Sequence, residues 1–213
     1  MTVDQGCVCV IDDDDEVRGS LGSLFRSIGL EVALHDSTAA FLAAGVPALP
    51  SCLVLDIRLR DENGLDFQEG LATRGIHIPV ILITGHGDIP MTVRAMKAGA
   101  VDFLPKPFSE DQMLEAVAGA IERDRVRRTE SAGAEQLKQR YTTLTPRERE
   151  VMGLVVTGLM NKQVAGRLVL SEITVKIHRG NVMRKMEAQS LADLVRMAEQ
   201  LGVRDESIHR FNA

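Results

Sequence analysis

The sequence predicts an α/β domain with a five-stranded parallel sheet, joined by a helical linker to an all-helical domain. The first half alternates short apolar runs with amphipathic stretches, whereas the second half shows helical patterns only. The charge also divides: residues 1–124 carry 20 Asp and Glu against 9 Lys and Arg, and residues 125–213 carry 10 against 16. We therefore expect two domains with different partners, and the basic one is the candidate for binding a polyanion.

The composition bears on the size of the core and on the cellular compartment of the protein. Apolar residues make up 45% of the chain, which is ample for a core, and no apolar run approaches the roughly 18 residues of a membrane span. The N-terminus lacks the basic and apolar segments of a secretory signal. Cys7, Cys9 and Cys52 lie in apolar runs without histidines at metal-site spacing, so we expect core cysteines in a reducing compartment, the cytoplasm, with no membrane partner.

Five apolar runs are the predicted strands, and "CLVL" and "PVILI" among them are continuous enough to be buried on both faces. Helical patterns near 16–28, 37–44, 64–73 and 89–98 separate them, which predicts a doubly wound, flavodoxin-like sheet. The strands are predicted at Gly6–Ile11, Leu30–His35, Cys52–Asp56, Ile78–Ile83 and Val101–Leu104.

The predicted linker begins inside a long helical pattern. Residues 109–140 are free of proline and become polar toward their end, with Gly133 as a weak point. We expect a helix that leaves the first domain, although a flexible tether is an alternative because exposed polar helices are marginal without packing. The predicted division is a first domain at 1–124, a linker at 125–141 and a second domain at 142–213.

Acidic residues follow two of the predicted strands. Asp12 and Asp13 come after the first strand and Asp56 ends the third, while Thr84 and Lys106 follow the fourth and fifth. Ligands bind at the carboxyl edge of such sheets, so these five side chains are expected to converge there. Clustered carboxylates favour a hard cation, and Mg²⁺ binds one or two of them together with water.

This set of groups suits phosphoryl transfer onto an aspartate. A carboxylate can attack a phosphoryl group, and Asp56, flanked by apolar residues, is the best nucleophile candidate. The Arg58 backbone carbonyl could add a metal ligand, and Lys106 and Thr84 could hold phosphoryl oxygens. The remaining acids of "DDDDE", residues 14–16, are expected to begin a helix, where its dipole favours negative charge.

The motifs "VIDDD", "LVLDIRL", "ITGHGD" and "KPF", in this order, resemble the receiver domain of a bacterial response regulator across residues 1–124. The resemblance implies a phosphoacceptor at Asp56, Mg²⁺ held by Asp12, Asp13 and Asp56, and phosphate supplied by a sensor histidine kinase. It further implies a switch residue at Thr84, a phosphoryl contact from Lys106, a rotating aromatic at Phe103 and a cis peptide before Pro107.

The second half contains a predicted helix–turn–helix. "TPRE" forms a capping box from Thr145 to Glu148, and further helices are predicted at Lys162–Leu168, Glu172–Met186 and about Ser190–Leu201. In the third of these four helices Val175, Val182 and Met186 share one face and should pack inward. The opposite face could enter a DNA major groove, and it holds Lys176, Ile177, Gly180, Asn181 and Arg184.

From charge alone, a helical domain that binds other proteins is an alternative. The motifs "LTPRE", "GLMNKQVAGRL" and "LSEITVKIHR", however, resemble the LuxR/NarL-type DNA-binding domain. The match adds Asn161, Lys162 and Thr174 to the expected DNA-binding residues, and the whole chain resembles FixJ-type regulators, including those of styrene catabolism. It implies a transcription regulator, not an enzyme, which dimerises when phosphorylated, binds promoter DNA and recruits RNA polymerase.

A phosphatase that forms an aspartyl-phosphate is the alternative from another class, because it would share the acceptor, the Mg²⁺, the threonine and the lysine. Phosphatases of the haloacid-dehalogenase type place a second acid two residues after the nucleophile. Arg58 occupies that position here, so the general acid is missing.

Overall fold

The computed structural model describes residues 6–85 and 88–203, which form two compact units within residues 1–129 and 130–213. The first unit contains the predicted parallel five-stranded sheet, in the order β2-β1-β3-β4-β5. The strands are β1 (Cys7–Ile11), β2 (Glu31–His35), β3 (Ser51–Asp56), β4 (Val80–Thr84) and β5 (Asp102–Pro105). The helices between them are α1 (Asp15–Ser27), α2 (Thr38–Ala44), α3 (Gly64–Leu71) and α4 (Ile89–Lys97), and a 3-10 turn follows α3 at Ala72–Arg74.

The three inner strands are buried along their whole length, as continuous apolar runs require. Alternate side chains pack into two cores, one on each face of the sheet. Strand β1 lies between β2 and β3, so the chain reverses its direction of travel across the sheet at this strand. The carboxyl ends of β1 and β3 therefore flank the crevice in which ligands of such sheets bind.

The helix starts follow local capping chemistry. Asp14 caps α1 by accepting the amide of Glu16 at 2.8 Å, and Asp15 and Glu16 lie in the first turn, as predicted for these acids. Asp88 caps α4 by accepting the amide of Met91 at 2.7 Å.

Helix α5 (Glu110–Thr142) begins in the first unit and continues through the residues that were predicted to be the linker. Gly133 does not interrupt it. Its early turns pack against the sheet through Met113, Val117 and Ile121. The second unit continues with α6 (Pro146–Val155), α7 (Asn161–Leu168), α8 (Glu172–Met186) and α9 (Leu191–Leu201) around one apolar core. The predicted capping box between Thr145 and Glu148 is present at the start of α6.

A buried carboxylate fastens α5 to the start of β3. The Asp124 side chain is fully buried, accepts the Ser51 amide at 2.9 Å and pairs with Arg127 and Arg128, both at 2.6 Å. Arg128 also donates to the Pro47 carbonyl at 2.9 Å. Burial opposes the charge of Asp124, but the arginines and the amide outweigh it and lower the pKa of this carboxyl.

The structure confirms that the three cysteines are buried and free. For His35 and His86 the sequence predicts positions at the surface or rim rather than metal binding. His35 is instead only 9% exposed, because its ring packs edge-on against Phe41, and His86 lies outside the described residues. No helix in the described part of the chain is long and apolar enough to cross a membrane.

Candidate functional site

Three carboxylates meet at the carboxyl edge of the sheet. Asp12 directly follows β1 and Asp56 ends the adjacent β3, so the parallel register brings them together with Asp13. One oxygen from each of the three lies within 4.8 Å of the others. Asp12 is 1% exposed and Asp56 is 7% exposed, whereas Asp13 is half-buried.

Lys106 connects two of these carboxylates. Its Nζ donates to Asp12 Oδ2 at 2.9 Å and to Asp56 Oδ2 at 3.0 Å. Burial opposes the charge of the ammonium, but the two carboxylates outweigh it and raise the pKa of Lys106. Burial also raises the pKa of the Asp56 carboxyl, although the ammonium acts against that rise.

The fourth and fifth strands deliver the other predicted groups to this edge. Thr84 ends β4 and is fully buried, and its carbonyl accepts the Lys106 amide at 2.7 Å. Lys106 follows β5, and the peptide between Lys106 and Pro107 is cis, as the sequence resemblance implies. Phe103, in β5, is partly buried against the core. The structure therefore brings Thr84, Lys106 and the three aspartates to one edge.

The loop after β3 is held tightly against Asp56. The Arg58 amide donates to Asp56 Oδ1 at 3.3 Å, and the Gly64 amide donates to the Ile57 carbonyl at 2.9 Å. A Cβ at Gly64 would lie 2.3 Å from the Asp56 carbonyl oxygen, so only glycine permits this approach. Arg58 itself is exposed.

Two arginines at this edge did not emerge from the sequence. Arg60 Nε donates to Asp13 Oδ2 at 3.1 Å, and Arg18 Nη1 donates to the Asp12 carbonyl at 2.5 Å. An i,i+6 spacing between Asp12 and Arg18 could have indicated the second contact, since α1 begins between them. No local sequence signal indicates the contact between Arg60 and Asp13, because it is the loop after β3 that brings Arg60 to Asp13.

The donor set of this edge fits a hard divalent cation. Its three carboxylates offer only oxygen ligands, and the two aspartates that accept from Lys106 are almost completely buried. Mg²⁺ prefers such oxygen ligands and keeps several waters besides one or two carboxylates. The acidic edge can therefore bind a metal next to the oxygen of a buried carboxylate.

The second candidate surface is the exposed face of α8. Val175, Val182 and Met186 are buried in the core, as predicted, and the exposed side chains recur at helical spacing on the other side. These exposed positions are Ile173, Lys176, Ile177, Gly180 and Arg184. Helices α7 and α8 together carry six Lys and Arg against one Glu, so the charge of this surface suits a polyanion.

A buried ion pair fixes α8 against α6. Lys185 Nζ donates to Glu148 Oε2 at 2.6 Å and to the Thr143 carbonyl at 3.1 Å. Glu148 is 3% exposed and also accepts the Thr145 amide at 2.8 Å. Burial opposes the charge, but Lys185 and Thr145 lower the pKa of the Glu148 carboxyl below its usual 4.5.

Four of the predicted DNA-binding residues lie outside the fully exposed face of α8 or on α7, and they differ in how far they are exposed. Asn161 is half-buried and its Oδ1 accepts from Arg179 Nη1 at 3.2 Å, while Lys162 is exposed. Thr174 is half-buried, and Asn181, which was predicted on the exposed face, is half-buried as well. Ile173, which is 74% exposed, did not emerge from the sequence. Its position four residues before Ile177 was the available signal.

Comparisons with known proteins agree with this architecture. Residues 8–118 match the response regulator receiver domain, and residues 142–198 match the family of bacterial regulatory proteins named after luxR. Nodulation protein W of Bradyrhizobium diazoefficiens is 59% identical over 196 residues, which are 92% of this chain and 86% of that protein. The transcriptional regulatory protein FixJ of Azorhizobium caulinodans is 46% identical, over 92% of this chain and 93% of the relative.

A solved structure gives the same result. The response regulator StyR, known at low resolution, is 46% identical, with a TM-score of 0.85 over 92% of this chain and all of the other. The chain therefore belongs to the response regulators that join a receiver domain to a LuxR-family DNA-binding domain. It is a transcriptional regulator similar to the FixJ-type proteins, and these comparisons give no support to the phosphatase alternative.

Proposed function

We propose that Asp56 accepts a phosphoryl group from a sensor histidine kinase and that this modification controls binding to promoter DNA. The observation that carries the proposal is that the Asp12, Asp13 and Asp56 carboxylates lie close together and that the Lys106 ammonium donates to two of them. We assign residues 1–124 to the receiver, 125–141 to the linker and 142–213 to DNA binding.

In the proposed transfer, an Asp56 oxygen bonds to phosphorus while the bond from phosphorus to the kinase histidine breaks. Asp12, Asp13, Asp56 and the Arg58 backbone carbonyl would hold Mg²⁺, which when bound neutralises charge on the phosphoryl oxygens. The Lys106 ammonium already contacts Asp56, so it can follow the phosphoryl group and balance its charge.

The switch residues in this proposal are Thr84 and Phe103. The Thr84 hydroxyl would bond to a phosphoryl oxygen, and Phe103, which is only partly buried, would repack in response. Phosphorylation would thereby shift an existing equilibrium between two conformations of the receiver, which differ in the surface they expose. The surface exposed by the favoured conformation would pair two receivers into a homodimer. The two DNA-binding domains of this dimer would then bind two half-sites of a promoter in the cytoplasm, where they recruit RNA polymerase.

On the DNA, helix α8 would enter the major groove. Lys176, Ile177, Gly180 and Arg184 lie on its exposed face, with Asn181 half-buried beside them. Asn161, Lys162 and Thr174, near the starts of α7 and α8, would position the two helices on the phosphate backbone.

The test of the acceptor is Asp56→Asn, which exchanges one carboxylate oxygen for an amide nitrogen of the same size. The full chain is incubated with Mg²⁺ and acetyl phosphate, and covalent phosphate is measured by intact mass. We expect one phosphoryl group on the unaltered chain and none on the variant. Asp61→Asn is the control, because Asp61 is an exposed acid on the same loop. Labelling of Asp56→Asn at the level of the unaltered chain would refute the assignment.

A further inference from the structure

The exposed face of α8 carries an apolar pair among its cations. Ile173 is 74% exposed and Ile177 is 58% exposed, and they lie one helical turn apart with Lys176 between them. Residues four apart on a helix are neighbours on its surface, so the two side chains form one continuous apolar stripe. An exposed apolar patch that is bordered by polar residues indicates a surface that a binding partner covers.

The charges beside the stripe favour a polyanion as that partner. Lys176 and Arg184 lie on the same face and Lys162 lies in the first turn of α7, and none of the three pairs with a carboxylate among the described residues. An apolar protein partner would leave these cations buried without counterions, whereas phosphates flanking a DNA groove neutralise them. The partner that fits both features is duplex DNA.

The major groove offers one apolar feature to an isoleucine. Each base pair presents hydrogen-bond donors and acceptors there, and only thymine adds a methyl group, at C5. An isoleucine cannot satisfy a donor or an acceptor, so it disfavours a base edge that lacks the methyl group. Ile173 lies in the first turn of α8, and the first residues of a recognition helix are those that reach base edges.

We propose that Ile173, together with Ile177, reads the C5-methyl groups of thymines in the bound DNA. This inference rests on the proposed DNA binding by α8 and adds to it a specificity-determining residue, Ile173. The stripe selects sites with thymines opposite its two side chains, and Lys176 holds the register between them.

The experiment removes the methyl group from the DNA and the side chain from the protein. A duplex is selected from a random-sequence library by the full-length chain, with and without acetyl phosphate, and each of its thymines is then replaced singly by deoxyuridine. Affinities are measured for the unaltered chain and for Ile173→Ala. Val126→Ala is the control, because Val126 is an exposed β-branched residue on α5, with 49% exposure.

We expect at least one thymine whose replacement weakens binding by the unaltered chain roughly fourfold, the effect of losing one buried methyl contact. Ile173→Ala should weaken binding to the thymine duplex and should lose the sensitivity to that deoxyuridine. Val126→Ala should keep the full sensitivity. Such coupling between a single methyl group and a single side chain is the result expected of two groups in contact.

Two results overturn the inference while the proposed function stands. In the first, the chain binds the selected duplex but tolerates every deoxyuridine, or Ile173→Ala keeps the full sensitivity. In the second, sedimentation shows that a second copy of the chain covers the stripe, with self-association in the absence of DNA that Ile173→Ala abolishes. Failure to select any duplex over random DNA would overturn the proposed function itself, and the inference with it.

Discussion

Val169 adopts a backbone conformation that its side chain opposes. It is the C-cap that directly follows α7, with a φ of 53° in the left-handed region, and it is 90% exposed. The left-handed conformation destabilises an L-residue by roughly 1–2 kcal/mol, and a β-branched side chain is especially rare there. No burial compensates for this strain, so the turn between α7 and α8 contains a residue that can be improved.

Replacing Val169 by glycine should stabilise the second unit. The relief of strain is offset in part by the entropy that glycine adds to the unfolded chain, so we expect about 0.5–1 kcal/mol. Urea unfolding followed by the fluorescence of Tyr141, the single tyrosine in a chain without tryptophan, measures the change. Ile173→Gly is the control, because it places glycine at an exposed helical position and should destabilise the unit. Equal destabilisation by both variants would argue against the strained turn.

Glu148 makes the stability of the second unit depend on pH. The pKa of this carboxyl lies below its usual 4.5 in the folded chain, so the folded state favours the ionised form. The resulting stabilisation is complete above about pH 4.5 and is lost as the pH falls through the folded pKa. Glu148→Gln should destabilise the unit by about 1–3 kcal/mol at pH 7, because Lys185 loses its charged partner.

The measurement for Glu148 is the free energy of unfolding between pH 7 and pH 3. The unaltered chain should lose stability below pH 4.5 more steeply than Glu148→Gln. Glu150→Gln serves as the control, since Glu150 pairs with Arg147 at the surface, where ion pairs contribute little. Parallel profiles for the unaltered chain and Glu148→Gln would show that the Glu148 carboxylate does not link folding to pH.

At the scale of elements, α7 and α8 divide the proposed DNA contacts between phosphates and bases. Lys162 lies in the first turn of α7, the helix expected to cross the DNA backbone, and Lys176 lies on the exposed face of α8. A phosphate contact carries no sequence information, but it does contribute to the salt dependence of binding. The two lysines should therefore respond differently to the same substitution.

Lys162→Ala should weaken binding to a selected duplex and to random DNA alike, and should lower the salt slope by about one. Lys176→Ala should lose roughly 1–3 kcal/mol on the selected duplex if it pairs with a guanine, and much less on random DNA. Affinities for both DNAs across a salt series provide the measurement. Equal loss on both DNAs for Lys176→Ala would mean that this lysine only anchors phosphate.

At the scale of the whole molecule, the position at which the receiver can be separated depends on Asp124. This buried carboxylate takes its two cationic partners from residues 127 and 128, beyond the predicted receiver boundary at 124. A fragment that ends at residue 124 keeps the carboxylate and loses both arginines. A fragment that ends at residue 129 keeps the complete network.

The fragment of residues 1–129 should therefore be more stable than the fragment of residues 1–124 by roughly 3 kcal/mol, the effect of removing the partners of a buried charge. Urea unfolding by circular dichroism compares the two, and both should still take phosphate from acetyl phosphate because Asp56 lies at the opposite edge of the sheet. Asp124→Asn in the shorter fragment should recover part of the lost stability. Equal stability of the two fragments would show that the arginines are dispensable.

The sequence alone determined the elements and the chemistry that their ends carry. Apolar runs located all five strands, and the acids at residues 14–16 and the Thr145 cap located two helix starts, because both signals are local. Strand ends of a parallel sheet share one edge, so the convergence of Asp12, Asp56 and Lys106 also followed from the sequence. The family resemblance then supplied the roles proposed for these residues.

Only the tertiary structure decided the contacts between residues far apart in the chain. It buried His35 against Phe41, paired Arg60 with Asp13, and closed Asp124 onto Ser51 at a separation of 73 residues. It also showed that Ile173 is exposed, where periodicity had singled out only Ile177. Such contacts depend on how loops and packed helices place side chains in space, and no local pattern of residues encodes that placement.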